Sequence, residues 1–139
     1  MSKIWKKIEK IEFTNCSEVI EELKNKDYKM SPWIEDIFKK NNNKFNSYKF
    51  PINLVRIWVK DLGFNQPVEL KEIHKKIKEL NYKLVPPEIA LYSRILYKDQ
   101  PKGEWLRFAT PFDSMIDSDN VPHLPKLGKA LGFLFIETY

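Results

Sequence analysis

Pro86-Pro87 is the strongest local constraint in the chain. A proline fixes its own φ and pushes the residue before it out of helical space. Val85 and Pro86 must therefore be extended. A helix can open only at Pro87, whose missing N–H costs nothing in a first turn. The helical pattern upstream has to stop near Asn81-Tyr82. An extended segment begins at Lys83–Val85 and leads into the stretch 84–110, LVPPEIALYSRILYKDQPKGEWLRFAT.

Within this stretch a short helix is expected through Glu88, Ile89, Ala90 and Leu91. SRILYK (93–98) and EWLRFA (104–109) are rich in branched and aromatic residues and read as a hairpin. Gln100-Pro101-Lys102-Gly103 between them has Pro at i+1 and Gly at i+3, a type I pattern. Pairing Lys98 with Glu104 places Tyr97 opposite Trp105, Ile95 opposite Arg107, Leu96 opposite Leu106 and Arg94 opposite Phe108.

The stretch also gathers charged and polar groups. Glu88, Arg94, Asp99, Gln100, Glu104 and Arg107 are the candidate ligand-binding residues. Arginine could hold an anionic ligand while a carboxylate serves as acid or base. The competing reading is structural: Arg94 pairs with Glu88 or Glu104 and locks the helix to the hairpin, because a buried arginine needs a partner.

Upstream, Ile4, Trp5, Ile8 and Ile11 recur at helical spacing, so residues 3–12 read as an amphipathic helix. Asn15 with Glu18 resembles a capping box and opens a helix to about Asn25 that buries Val19, Ile20 and Leu23. Ser31-Pro32 opens another, with Trp33, Ile34, Ile37 and Phe38 on its apolar face. Its acids lie in the first turn and its lysines in the last. Residues 41–51 form a polar loop. INLVRIWV (52–59) reads as a strand covered on both faces. ELKEIHKKIKEL (69–80) is the clearest helix, with Leu70, Ile73, Ile77 and Leu80 as its buried stripe.

Downstream, Asp117-Ser118-Asp119-Asn120 hints at a calcium loop, but Val121 occupies a ligand position and no Glu closes it. A turn with Asn120 left-handed is the better reading. VPHLPKL suits an edge strand because of Pro122 and Pro125. ALGFLFIETY reads as a buried central strand, with Gly128 in the turn between the two.

Composition limits the function classes. With 139 residues, 42% of them hydrophobic and 31% charged, the chain suits one folded domain. Its net charge of +5 is spread evenly along the sequence. Lys71, Lys75 and Lys78 could meet nucleic acid, but Glu72 and Glu79 interrupt them and no base-reading side chain accompanies them. Nucleic acid is disfavoured as a partner. A single cysteine, Cys16, rules out an internal disulfide framework and fits a cytoplasmic setting. No signal sequence or membrane span is expected. No phosphate loop, nucleophile elbow or zinc motif occurs, so neither cofactor nor metal is expected.

From about Ser31 onward the chain resembles a group of small bacterial proteins with no assigned activity. The blocks that carry the resemblance are WIEDIFKK, LVRIWVKDLGF, the LKEI helix, VPPEIALYSRILYKDQPKGEWLRFA and DSDNVP. The group's pattern has Cys-Pro before Glu where this chain has Val85-Pro86-Pro87-Glu88. It has Asp-Gly where this chain has Asp119-Asn120. Val85-Pro86 in place of that cysteine argues against thiol chemistry at this point. The resemblance implies a single compact domain and raises interest in Glu88, Arg94, Asp99, Gln100 and Glu104.

The expected fold is α+β. N-terminal helices (1–40) and a loop (41–51) precede an α+β core (52–139). The core is a mainly antiparallel sheet of four or five strands covered by the 69–80 helix. The expected function is a non-catalytic binding or interaction module for a protein partner or a small anionic ligand. The alternatives are a small enzyme using Glu88, Arg94 and Glu104, and a weak nucleic-acid binder.

Overall fold

The computed structural model describes residues 4–42, 44–45 and 48–138. Asn43, Asn46 and Ser47 of the expected 41–51 loop, and Lys3 of the expected first helix, lie outside them. The fold is α+β. Contacts divide it into unit 1, Met1–Ile11 with Tyr48–Leu84, and unit 2, Glu12–Ser47 with Val85–Tyr139.

In unit 1 the expected N-terminal helix is a strand. β1 (Ile4–Ile8) pairs antiparallel with β3 (Ile52–Val55). The apolar spacing of Ile4, Trp5 and Ile8 fits a helix, but pairing with β3 makes these residues a strand, with a bulge between Ile4 and Lys6. Ile8 and Leu54 are its buried residues. The expected 52–59 strand ends at Val55, which pairs with Ile4. It is half of a two-stranded ribbon, not a doubly covered central strand. Val59–Leu62 then forms a 3-10 turn closed by left-handed Gly63. α3 (Leu70–Glu79) packs on that turn. Leu70, Ile73 and Ile77 are only half-buried and Leu80 is exposed. His74 is the helix's buried residue, its Nδ1 3.1 Å from the Leu70 carbonyl.

Unit 2 opens with α1 (Cys16–Asn25), capped as the sequence predicts. Asn15 Oδ1 accepts from the Glu18 N–H at 3.2 Å, and Glu18 returns a bond to the Thr14 N–H at 2.9 Å. β2 is the pair Lys29–Met30. Ser31 Oγ accepts from the Ile34 N–H and opens α2 (Pro32–Lys40), with Pro32 at its first position.

The main departure falls in 93–98. These residues are not a strand: α4 runs from Pro87 to Leu96. Ile89, Ala90, Leu91, Ser93 and Arg94 are all buried. Burial on nearly all sides of the helix outweighs the β preference of Ile95 and its neighbours. Ser93 keeps helical geometry by donating its hydroxyl to the Ile89 carbonyl at 2.8 Å. The proposed hairpin, with Lys98 opposite Glu104, therefore does not form. The turn also shifts by one residue. The Glu104 N–H donates to the Pro101 carbonyl and Gly103 sits at i+2 with φ 86°, as a type II turn requires.

β4 (Trp105–Arg107) pairs instead with β5 (Pro125–Ala130), and β5 forms a hairpin with β6 (Phe133–Thr138). Gly128 lies inside β5; Leu131-Gly132 makes the turn, both with positive φ. The sheet order is β2-β6-β5-β4, with β2 parallel to β6 and the other pairs antiparallel. The chain thus has a mixed four-stranded sheet and a separate ribbon, not one mainly antiparallel sheet. The 122–127 segment, expected at an edge, yields a central strand because pairing starts at Pro125, past Pro122. α2 and α4, not the 69–80 helix, pack on this sheet. Ile34, Ile37, Phe38, Ile89, Leu91, Leu127 and Ile136 form the buried layer between them.

Candidate functional site

Arg94 stands on α4 and is the largest fully buried side chain. Its guanidinium meets oxygens of neutral groups. Nη1 donates to Gln100 Oε1 at 2.7 Å, to the Phe135 carbonyl at 2.9 Å and to the Gly128 carbonyl at 3.3 Å. Nη2 donates to the Tyr97 carbonyl. Nε has no hydrogen-bond partner. Burial pushes Arg94 down to about 10, against smaller opposing effects of Tyr28 and Tyr97. It is still a cation at neutral pH, held by carbonyl dipoles.

Gln100 completes the arrangement. Its Nε2 donates to the Glu104 and Leu127 carbonyls, both at 3.1 Å. Oxygen and both amide hydrogens are thus used, as a buried amide requires. The Tyr97 hydroxyl donates to the Glu104 carboxylate at 2.6 Å. The structure therefore brings Arg94, Gln100 and Glu104 into one network. Glu88 is buried in the first turn of α4, Asp99 is exposed on the following turn and Arg107 is exposed on β4. Fully buried Arg94 offers no face to a ligand. The network ties the end of α4 to β5 and β6.

The accessible chemistry of unit 2 lies on the sheet face away from α2 and α4. Register puts Trp105, Gly128 and Phe135 in one row and Arg107, Lys126 and Glu137 in the next, with Lys29 beside Phe135 and Phe133 beside Ala130. The indole of Trp105 lies directly over Gly128, where any side chain would collide with it. Glycine in mid-strand weakens a sheet, and here it leaves room for the ring. Trp105 is 48% exposed, Phe133 39% and Leu131, at the hairpin tip, 87%. Lys126 Nζ stands 4.6 Å from the Trp105 ring centre and 3.2 Å from Glu137. Lys29 Nζ stands 4.5 Å from the Phe133 ring centre. At the β2 end the face deepens into an open groove of about 400 Å³ lined by Lys29, Met30, Ser31, Leu131, Phe133, Phe135 and Glu137. Sequence reasoning assigned ALGFLFIETY to a buried strand and so missed Phe133 and Phe135. The available signal was Glu137, two and four residues along from them and of the same parity.

A second constellation also escaped the sequence reading. Asp117 is buried. Its Oδ1 accepts from the Asp119 and Val121 N–H groups at 2.8 and 3.0 Å. Its Oδ2 lies 2.7 Å from His123 Nε2. The imidazole stacks on Trp33 of α2, with ring centres 5.8 Å apart. Bonding to His123, and then to the Val121 and Asp119 amides, holds the Asp117 carboxyl below its ordinary range. Lys40 Nζ donates to Ser118 Oγ at 3.0 Å, and that hydroxyl donates to Asp36 at 3.2 Å. Asp117 thus organises a turn, with Asn120 left-handed at φ 66°, and clips it to α2. Among the described residues no group of three or more His, Cys, Asp or Glu could hold a metal ion. No helix among them is long and apolar enough to cross a membrane.

Comparison of the chain with protein-family models, curated proteins and solved structures finds no match.

Proposed function

We propose that the protein is a non-catalytic interaction module that receives an extended segment of a partner protein on the open face of its four-stranded sheet. The carrying observation is the indole of Trp105 laid over Gly128 beside Phe133 and Phe135. Large rigid aromatics with an arginine close by are the side chains that dominate protein interfaces. Lys29, Lys126 and Arg107 surround the rings, and Glu137 is engaged by Lys126. The complementary segment carries apolar side chains flanked by acids. β2 pairs with only Phe135 and Ile136 of six-residue β6, which leaves room for an added strand beside it.

An enzyme built on Glu88, Arg94 and Glu104 would need Arg94 to face a substrate, and it is fully buried. The resemblance of the 84–110 block to a bacterial group belongs to this reading and brings no activity with it. A cytoplasmic setting accompanies the reading, with Cys16 buried in α1.

Selection from a random-peptide display library tests the proposal. Acidic peptides with aromatic or aliphatic anchors are expected to be enriched, and Trp105→Ala should weaken them by about 2 kcal/mol or more. Enriched peptides that bind Trp105→Ala and Phe133→Ser as well as the wild type would defeat it.

A further inference from the structure

Along the sequence the positive charge is evenly spread, but the fold gathers it. Residues 1–11 and 48–84, which make unit 1, hold 12 Lys and Arg against 5 Asp and Glu, a net of +7. The remaining residues hold 12 against 14, a net of −2. The entire surplus belongs to the smaller unit, assembled from two segments distant in sequence.

Two of the four tryptophans stand in the same unit. Ile4 pairs with Val55 and Lys6 with Leu54, so β1 bulges at Trp5 opposite the end of β3. From that end the chain runs through Arg56, Ile57 and Trp58 into the 3-10 turn. One end of the ribbon thus collects Trp5, Lys6, Arg56, Trp58 and Lys60. Trp58 is 66% exposed, an unusual position for the largest apolar side chain. Lys60 Nζ lies 5.7 Å from the Trp58 ring centre, and Lys6 Nζ 5.6 Å from that of Trp5.

We propose that this end of the ribbon binds single-stranded nucleic acid, with bases stacked on Trp58 and Trp5 and phosphates met by Lys6, Arg56 and Lys60. An exposed ring at Trp58 and a half-buried one at Trp5, interleaved with cations, suit a flexible polyanion with aromatic bases, and stacking tolerates any base. A duplex hides its base faces and offers these rings nothing. The α3 lysines are a poorer site, because α3 carries no Phe, Tyr or Trp on which a base could stack. Exposed Ile4, Trp58 and Val59 also suit a lipid surface, and the vesicle arm of the test separates the two. The inference is independent of the sheet face of unit 2.

The full chain is titrated with fluorescent oligo-dT and oligo-U, followed by anisotropy. Binding is expected with micromolar or weaker affinity, falling roughly ten-fold between about 50 and 200 mM salt if two to three phosphates are neutralised. Trp58→Ala should weaken it about ten-fold or more, with partial recovery in Trp58→Phe. Arg56→Glu combined with Lys60→Glu should abolish it, and Lys75→Glu combined with Lys78→Glu should reduce it far less. Unchanged thermal melts show that the exposed-site variants fold. Absence of binding at low salt overturns the proposal. So does equal loss from both charge-reversal pairs with no effect of Trp58→Ala, which is attraction by bulk charge. Binding to phosphatidylserine vesicles without binding to oligonucleotides overturns it in favour of a membrane surface.

Discussion

Replacing Arg94 with methionine tests whether a buried cation without a carboxylate partner stabilises this fold. The guanidinium makes four hydrogen bonds, to Gln100 Oε1 and to the carbonyls of Phe135, Gly128 and Tyr97. A hydrogen bond to a charged group contributes about 1.5–3 kcal/mol net, and Nη1 shares its two hydrogens among three acceptors, so the set counts as about three full bonds, roughly 5–9 kcal/mol. Two effects oppose this loss. The variant no longer desolvates a cation, which costs several kcal/mol. Methionine also fills most of the volume and gains about 2 kcal/mol from burial. The expected balance is a destabilisation of about 3 kcal/mol. For 139 residues the unfolding entropy is roughly 0.3 kcal/mol/K, so Tm should fall by about 10 °C. Urea and thermal melts followed by circular dichroism measure both. Arg94→Lys should be as damaging as Arg94→Met, because an ammonium cannot span Gln100, β5, β6 and the end of α4 at once. A methionine variant as stable as the wild type would refute the reasoning. It would mean that desolvation cancels all four bonds and that Arg94 does not act as a strut.

Two further outcomes follow from particular contacts. Gly128→Ala should displace the Trp105 indole and cost about 1–2 kcal/mol, with a change in near-ultraviolet circular dichroism. The same substitution in a Trp105→Ala background should be neutral or stabilising, and additivity of the two changes would show that the ring does not rest there. Asp117 has a folded-state pKa below its ordinary 3.8, so its contribution is present above that value and is lost as pH falls through the folded value. The stability gap between the wild type and Asp117→Asn should therefore shrink below about pH 4 in acid titrations; a gap unchanged by acid would show that the carboxylate charge contributes nothing.

Features governed by a few adjacent residues were legible in the sequence. Asn15 with Glu18, and Ser31 with Pro32, cap α1 and α2 because a cap is a local hydrogen bond between a side chain and an amide three residues on. Pro87 opens α4 because φ is restricted by covalent structure. Asn120 takes the left-handed turn for the same kind of reason. The α+β class followed from these starts together with the β-rich segments. Of the candidate residues, Arg94, Gln100 and Glu104 do meet, although as an interior network.

The sequence alone thus determined where α1, α2 and α4 begin and that an α+β fold with a real core is available. Tertiary structure alone decided what pairs with what. Ile4–Ile8 has the apolar spacing of a helix, and only the presence of β3 makes it a strand. SRIL has β preference, and only burial beneath β5 and β6 makes it helix. The basic segments 1–11 and 48–84 lie far apart in the chain and become one concentration of charge only when they come together. The physical reason is common to all three. Caps and prolines act through covalent geometry and neighbouring amides, whereas strand pairing, burial and electrostatic fields depend on groups far apart in sequence that only the fold brings within range.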